Sequence, residues 1–267
     1  MIREALSSAA DALRAVGVED PRLDAEVMLA AATGLERAEL VASPEAEVPP
    51  PAARLFGEMV RRRLRREPVA YIVGRRGFRR IELEVDRRVL IPRPETELLV
   101  ELALERRPAT LLDVGTGSGA IALAVADELP DCEIKATDTS ADALEAARAN
   151  AHRLGLAQRV RFAPGSIPPE EDFELILANL PYVADGDWPS LQPEVAEWEP
   201  REALLAGADG LDAIRSLIPR VEVGVLALEV GEGQAETVRG LLAAAGFREI
   251  ETRRDLAGIE RVVLGER

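Results

Sequence analysis

The sequence predicts an α/β protein in which a parallel sheet, covered on both faces by helices, follows a small all-helical domain. Three observations carry this expectation. From Thr110 onward short apolar runs alternate with amphipathic stretches, the pattern of strands joined by crossover helices. Residues 1–73 show helical signals without strand-type alternation. A chain of 267 residues with 47% hydrophobic content supplies a core for one ordinary α/β domain and for a smaller companion.

In the helical domain, Asp20-Pro21 sets an N-cap before a proline at the first helical position, and the apolar stretch from Leu23 through Ala32 stops at Gly34. A third helix begins after Pro49-Pro50-Pro51 and runs through Arg61-Arg62-Arg63-Leu64-Arg65-Arg66 to a stop before Pro68. That arginine cluster reads as a solvated helix face, with a docking patch for an acidic partner as the alternative. Over residues 74–90 the alternation of Phe78, Ile81, Leu83, Val85 and Val89 predicts a β-hairpin linker. Ile91-Pro92-Arg93-Pro94 must be extended, because each proline restricts itself and its predecessor. The main domain, residues 91–267, then opens on a helix over Glu97 to Arg106, started by Thr96 or a neighbour. Strands are expected at Leu111–Val114, Glu133–Asp138, Val160–Ala163, Glu174–Ala178, Gly224–Val230, Phe247–Arg253 and Arg261–Leu264. No helix fits between the last two, so they should pair antiparallel.

Composition narrows the chemistry. Cys132 and His152 are the only residues of their types, which leaves no intrachain disulfide, no cysteine-based zinc site and no room for a histidine triad. His152 falls in a polar helical stretch and reads as a surface residue. The net charge of −15 opposes binding to nucleic-acid phosphates and favours a protein or small-molecule partner. Without a long apolar run or a signal-type start, the chain reads as cytoplasmic, with no membrane partner.

Leu111-Leu112-Asp113-Val114-Gly115-Thr116-Gly117-Ser118-Gly119 runs a buried strand into a glycine loop that opens a helix at Ala120. Glycines there allow a sharp turn and let the backbone approach a ligand closely. Asp138 ends the next strand about 20 residues on, where a carboxylate can accept from both hydroxyls of a ribose. The rival reading of Asp138 as an N-cap can be met by Thr139 or Ser140 instead. Loop and acid together point to an adenosine-bearing cofactor without deciding between NAD and S-adenosylmethionine.

The sequence Asn179-Leu180-Pro181-Tyr182 follows the fourth strand of this series, at the strand end where open α/β sheets bind ligands. A planar amino nitrogen is a poor nucleophile because its lone pair is delocalised. Two acceptors, the Asn179 side-chain oxygen and the Leu180 carbonyl, can hold its two N–H groups and favour a more tetrahedral nitrogen that meets a methyl donor. Pro181 restricts the Leu180 backbone and aims that carbonyl, and the Tyr182 ring offers a flat face for an amide or a base. The alternative is a strand-ending turn with a half-buried tyrosine. Asparagine occurs elsewhere only at Asn150, and its use here favours a functional reading.

These motifs, together with Arg66-Glu67-Pro68-Val69-Ala70-Tyr71-Ile72-Val73-Gly74, Leu90-Ile91-Pro92-Arg93-Pro94-Glu95-Thr96-Glu97, Trp198-Glu199-Pro200-Arg201, Leu228-Glu229-Val230-Gly231 and Gln234, resemble the release factor glutamine methyltransferases. The resemblance implies a Rossmann-like seven-stranded methyltransferase sheet of order 3-2-1-4-5-7-6, and S-adenosyl-L-methionine as methyl donor, leaving S-adenosyl-L-homocysteine. The acceptor it implies is the glutamine side chain in the Gly-Gly-Gln loop of class 1 peptide chain release factors, gripped in part by the helical domain. It further implies cofactor contacts from Gly115, Thr116, Gly117, Ser118, Gly119, Asp138 and Asn179, from Ser166 and Ile167 after the third strand, and from Phe78, Pro92 and Thr96. The family more often carries proline where Leu180 stands here. The enzyme is expected to act as a monomer, without metal. Competing readings are a DNA or RNA adenine amino-methyltransferase, which the acidity opposes, a nicotinamide-dependent oxidoreductase, which leaves Asn179 to Tyr182 unexplained, and a non-catalytic adaptor, which the intact glycine loop opposes.

Overall fold

The computed structural model describes residues 1–167 and 171–267 and divides into two compact units. The first joins Met1–Arg75 to the distant segment Gln192–Trp198. The second comprises Arg76–Leu191 and Glu199–Arg267.

The first unit is helical: α1 (Ile2–Ala15), α2 (Pro21–Thr33), α3 (Arg37–Ala42), α4 (Pro50–Arg63) and α5 (Val69–Val73). In α1 the buried residues Ile2, Leu6, Ala9, Ala10 and Leu13 recur at helical spacing and form one apolar stripe. Ile2, Leu6, Ala9 and Leu13 pack with Met28 and Leu29 of α2 and Phe56 of α4 into a single core. Helix α2 begins with Pro21 at its first position and ends on Gly34 in the left-handed conformation, as the sequence predicts, but Asp20 makes no side-chain cap bond. Helices α3 and α5 are too short to show a periodicity, and no sequence signal announces them.

Three residues of the arginine cluster, Arg62, Arg63 and Arg66, are wired inward, which corrects the expectation of a solvated face there, while Arg61 and Arg65 stay exposed. Arg63 is only 6% exposed, with Nε donating to Asp24 at 2.6 Å and Nη2 placed 2.7 Å from Glu194. Arg66 donates to both oxygens of the same Glu194, and Arg62 to both oxygens of Glu67. Glu194 lies in the short helical turn Pro193–Ala196, so its pairs with Arg63 and Arg66 tie the Gln192–Trp198 segment into the helical unit.

The second unit carries the hairpin β1 (Arg75–Phe78) and β2 (Ile81–Glu84), followed by β3 (Thr110–Val114), β4 (Glu133–Asp138), β5 (Val160–Pro164), β6 (Leu175–Ala178), β7 (Val225–Glu229), β8 (Arg248–Arg254) and β9 (Glu260–Glu266). Its helices are α6 (Glu97–Arg106), α7 (Ala120–Glu128), α8 (Ala141–Arg153), α9 (Asp212–Leu217) and α10 (Ala235–Ala244). Strands β3 to β9 form one sheet in the order β5-β4-β3-β6-β7-β9-β8. Counted within that sheet, this is the 3-2-1-4-5-7-6 order the resemblance implies. Strands β5, β4, β3, β6 and β7 are parallel, and β9 runs antiparallel to both β7 and β8. The reversal follows from the tight β8–β9 turn, where the Asp255 carboxylate accepts from the backbone of Ala257 and Ile259 and leaves no chain for a crossover helix.

The central strands β6 and β7 are buried along their whole length, which is why their sequences run apolar without alternation. The register aligns Val114 with Thr137 and Ala178, and Ala178 with Leu228. The residues that follow, the glycine loop, Asp138, Asn179 and Glu229, therefore emerge together at the carboxyl edge of the sheet. The fully buried Asn150 of α8 clamps the surroundings of this edge: Nδ2 donates to the carbonyls of Glu84 and Ser118, and Oδ1 accepts from Glu84 N–H at 2.7 Å.

Candidate active site

Strand β3 ends in a loop whose three glycines, Gly115, Gly117 and Gly119, all have positive φ. A Cβ on Gly119 would lie 2.8 Å from Leu123 Cδ1 and 3.3 Å from Ala147, so the loop can enter α7 there only as glycine. Below the turn, the Thr116 hydroxyl donates to Asp113 Oδ2 at 2.6 Å and Ala122 N–H donates to the same oxygen at 3.1 Å. Asp113 Oδ1 is buried without a hydrogen-bond partner. Burial drives the Asp113 carboxyl up to about 7, against the lowering effect of those two donors.

Asp138 closes this side. Its Oδ2 accepts from Gly117 N–H at 2.9 Å and its Oδ1 from Ser140 N–H at 2.8 Å, so two backbone donors fix the plane of the carboxylate. Each oxygen retains lone-pair capacity for a further hydroxyl. The N-cap of α8 is supplied by Ser140, whose hydroxyl accepts from Ala143 N–H, which relieves Asp138 of that task.

The acceptor side is built from side chains. Asn179 Nδ2 donates to the Thr96 hydroxyl oxygen at 3.0 Å, which fixes the amide and turns Oδ1 to its opposite edge. Thr96 is buried at the start of α6, and Glu229 is buried at the end of β7 with its Oε2 unpartnered. Burial pushes Glu229 up to about 7; the nearby Thr96 hydroxyl and the charges of Arg261 and Arg93 act against this, while Glu95 adds to it. The segment carrying Thr96 is held by the buried Glu199, which accepts from Ile91 N–H at 3.1 Å and from the Arg93 guanidinium.

Tyr182 is fixed through its backbone. Gln234 Nε2 donates to the Tyr182 carbonyl at 2.9 Å, and Gln234 Oε1 accepts from Gly231 N–H at 2.9 Å. A Cβ on Gly210, at positive φ, would sit 2.2 Å from that carbonyl, which restricts the position to glycine, and one on Gly231 would crowd the Tyr182 ring at 3.2 Å. Burial, with the Glu229 charge second, pushes the Tyr182 phenol up to about 12, so it stays neutral near pH 7 and is no base.

A crevice of about 370 Å³ joins the two sides, within the range of ligand pockets. Gly115, Gly117, Asp138, Ser166, Asn179, Leu180 and Pro181 all line it. Thr116, Ser118 and Thr96 are buried behind its wall, and Phe78 and Pro92 are likewise buried. Ile167 borders a separate cavity of about 450 Å³ beside Phe173 and Arg220. His152 is exposed on α8. Among the described residues no cluster of His, Cys, Asp and Glu has the arrangement of a metal site, and no helix is long and apolar enough to cross a membrane.

The roles of Glu199 and Asn150 are not visible in the sequence, because each acts on a residue far away along the chain. Asn150 gives the nearest thing to a signal, since it shares with Asn179 the rarity of asparagine, but it serves to clamp backbone.

Known proteins agree with this architecture along the whole chain. Residues 4–74 match the family model described as the PrmC N-terminal domain, and residues 94–193 match the Methyltransferase small domain. The Release factor glutamine methyltransferase of Caulobacter vibrioides is 39% identical over 274 residues, covering 98% of this chain and 95% of its own. Those of Coxiella burnetii and Moorella thermoacetica are each 42% identical and cover the full length of this chain, with 99% and 98% of their own. Among solved structures, the hMettl16 catalytic domain in complex with MAT2A 3′UTR hairpin 6 superposes with a TM-score of 0.57 at 13% identity, over 69% of this chain and 74% of that one. A methyltransferase from Pyrococcus furiosus gives 0.52 at 17% identity, over 69% and 87%. At such identities the structural likeness bears on the fold alone; the full-length sequence relatives carry the assignment, and the chain belongs to the release factor glutamine methyltransferase family.

Proposed function

We propose that this enzyme transfers a methyl group from S-adenosyl-L-methionine to the side-chain amide nitrogen of the glutamine in the Gly-Gly-Gln loop of class 1 release factors. One observation carries the reading: the Asn179 amide is fixed by its bond to Thr96 and lines the same crevice as the glycine loop.

The residues present suit the cofactor. Gly115 and Gly117 present backbone at positive φ to the crevice, no heavy atom stands within 4 Å of where a Gly117 Cβ would be, and the fixed carboxylate of Asp138 suits a pair of ribose hydroxyls. Ser166 lines the same crevice, whereas Thr116, Ser118, Gly119, Ile167, Phe78 and Pro92 are not among its lining residues. S-adenosylmethionine, when bound, supplies an electrophilic methyl on a sulfonium sulfur. Everything else is done by the chain.

Asn179 Oδ1 and the Leu180 carbonyl accept the two N–H groups of the incoming carboxamide and direct its lone pair at the methyl. As the new C–N bond forms, positive charge gathers on nitrogen, and the same two oxygens stabilise it. The Tyr182 ring packs on the planar amide. The surplus proton leaves for solvent once the nitrogen is alkylated, so no base is required, consistent with a neutral Tyr182. The helical unit contributes to gripping the release factor, in the cytoplasm, with the enzyme as a monomer. A net charge of −15 opposes the alternative of a nucleic-acid base as acceptor.

Mass spectrometry of a class 1 release factor incubated with the enzyme and labelled S-adenosylmethionine tests this. The expected result is one methyl on the glutamine of the Gly-Gly-Gln peptide. Label on another residue, or none with active cofactor-bound enzyme, would refute it.

A further inference from the structure

The covered face of α8 is apolar except at one residue: Ala143, Leu144, Ala146, Ala147 and Ala151 form it, and the fully buried Asn150 stands among them. A buried amide costs free energy unless its hydrogen bonds are made, and an alanine here would continue the face and favour the helix. The packing of α8 therefore does not require an asparagine.

What Asn150 holds lies outside the helix, on two separate segments. One is the glycine loop. In an uninterrupted helix the Ser118 carbonyl would accept from Ala122 N–H, but that N–H is given to Asp113 Oδ2, and the carbonyl accepts from Asn150 Nδ2 at 3.0 Å instead. With Gly117 N–H on Asp138, successive residues of the loop are pinned. The other segment is β2, which pairs with β1 in a two-stranded sheet and turns its opposite edge to α8. There Asn150 takes both backbone groups of Glu84, accepting from its N–H at 2.7 Å and donating to its carbonyl at 2.9 Å. Arg153, one turn further along α8, serves β2 through the Glu82 carbonyl and the Glu84 carboxylate.

Beyond Glu84 the chain is short and stiff. The Asp86 carbonyl accepts from Val89 N–H at 3.1 Å and its carboxylate from Arg88 N–H at 3.0 Å. The residues that emerge, Arg88, Val89 and Leu90, line the crevice together with Gly115 and Gly117. One amide thus joins two parts of the crevice lining. We propose that Asn150 is a positioning residue for the cofactor: by holding Ser118 and Glu84 together it sets the spacing between the glycine loop and the wall formed by Arg88, Val89 and Leu90, and with it the affinity for S-adenosylmethionine. This rests on the reading of the crevice as the site of that cofactor. Asn179 keeps its own bond to Thr96, so the effect belongs to binding and not to the chemical step.

The test uses S-adenosylhomocysteine as the probe, in calorimetry with the full-length enzyme. Asn150→Asp keeps the size and the acceptor for Glu84 N–H but replaces the two donors with an acceptor; Asn150→Ala removes the group. Each should bind the probe at least tenfold more weakly, while kcat at saturating S-adenosylmethionine and release factor stays within threefold. Arg153→Leu, which loosens β2 alone, should bind within threefold of the parent. The parent enzyme supplies a second measurement that no folding defect can confuse. Coupling is reciprocal, so if the Asn150 bonds favour the cofactor, the cofactor favours those bonds. The Glu84 amide, followed by NMR, should exchange with solvent at least tenfold more slowly when the probe saturates the enzyme.

A lower melting temperature in Asn150→Asp at unchanged affinity is what a merely structural clamp produces, and it would overturn the proposal. So would a loss of affinity in Arg153→Leu equal to that in Asn150→Asp, a kcat that falls in step with affinity, or Glu84 exchange indifferent to the probe. A parent enzyme that binds no S-adenosylhomocysteine would show that the crevice itself is misread, and the positioning role falls with it. If the parent binds it and the Asn150 variants bind it as well, only the positioning role has failed.

Discussion

The two sides of the crevice solve the same problem with different materials. On the β3–β4 side the ligand-facing surface is largely backbone: a loop held at positive φ by three glycines, with one carboxylate fixed by Gly117 and Ser140 N–H groups. On the β6–β7 side it is a side chain, Asn179, whose Nδ2 is fixed by the Thr96 hydroxyl oxygen. Each side also has a buried carboxyl with one oxygen unpartnered, Asp113 under the loop and Glu229 at the end of β7. Backbone holds a large ligand through many small contacts, whereas a single side-chain bond fixes one small group and fails at a single atom.

The sharpest way to break this comparison is Asn179→Ala. It should lower transfer by roughly 10²–10³-fold, the scale set by losing one preorganised polar contact to a developing charge. Cofactor affinity should remain within a few-fold, as judged by calorimetry alongside single-turnover assays. Equal loss of both would show that the two sides are not separable.

Asp138→Ala should do the reverse. Losing two hydrogen bonds to a charged acceptor, each worth about 1.5–3 kcal/mol, should weaken S-adenosylhomocysteine binding by at least roughly tenfold to a hundredfold. At saturating cofactor the methyl-transfer rate should recover most of its parent value. A rate that stays low at saturation would place Asp138 in the chemistry.

The paired carboxyls make a pH prediction. Asp113 and Glu229 are both raised to about 7, so the folded state binds their protons more tightly than the unfolded chain does. Their contribution to stability is fully present below the ordinary carboxylate range and is lost as pH rises to about 7. For Glu229 the span from 4.5 to about 7 corresponds to on the order of 3 kcal/mol. Glu229→Gln should therefore be more stable than the parent at pH 8 and lose that advantage near pH 4.5, measured by denaturant titration at the two values. A parallel response in both proteins would remove the buried charge from the account.

The smallest expected effect is that of Leu180→Pro. The contact asked of this position is its carbonyl, so kcat should stay within about threefold; a loss beyond tenfold would mean that the Leu180 side chain, or its N–H, contributes.

What the sequence shows and conceals follows the same division. The glycine loop, Asp138 and the tetrapeptide are legible because backbone geometry and strand-end position are encoded within a few residues. The antiparallel pairing of the last two strands is legible through the short β8–β9 connection, whereas the strand order comes from the family resemblance. The Thr96–Asn179 bond is not legible, because nothing near either residue in the chain indicates that the two meet. Arg63 misleads for the same reason. It sits in an arginine run that reads as surface, and its partner Glu194 lies in a distant segment that groups with the helical unit. Asn150 and Asn179 share one compositional signal and differ entirely in use, since a rare residue marks a demand for hydrogen bonding without saying whose.

The most direct measurement is a crystal structure of the enzyme with S-adenosylhomocysteine and a release factor fragment carrying the Gly-Gly-Gln loop. The account predicts the glutamine side-chain nitrogen about 3 Å from both Asn179 Oδ1 and the Leu180 carbonyl, with Asn179 Nδ2 still on Thr96. A glutamine amide bound away from those two oxygens, or an Asn179 side chain turned over so that its nitrogen faces the substrate, would contradict it.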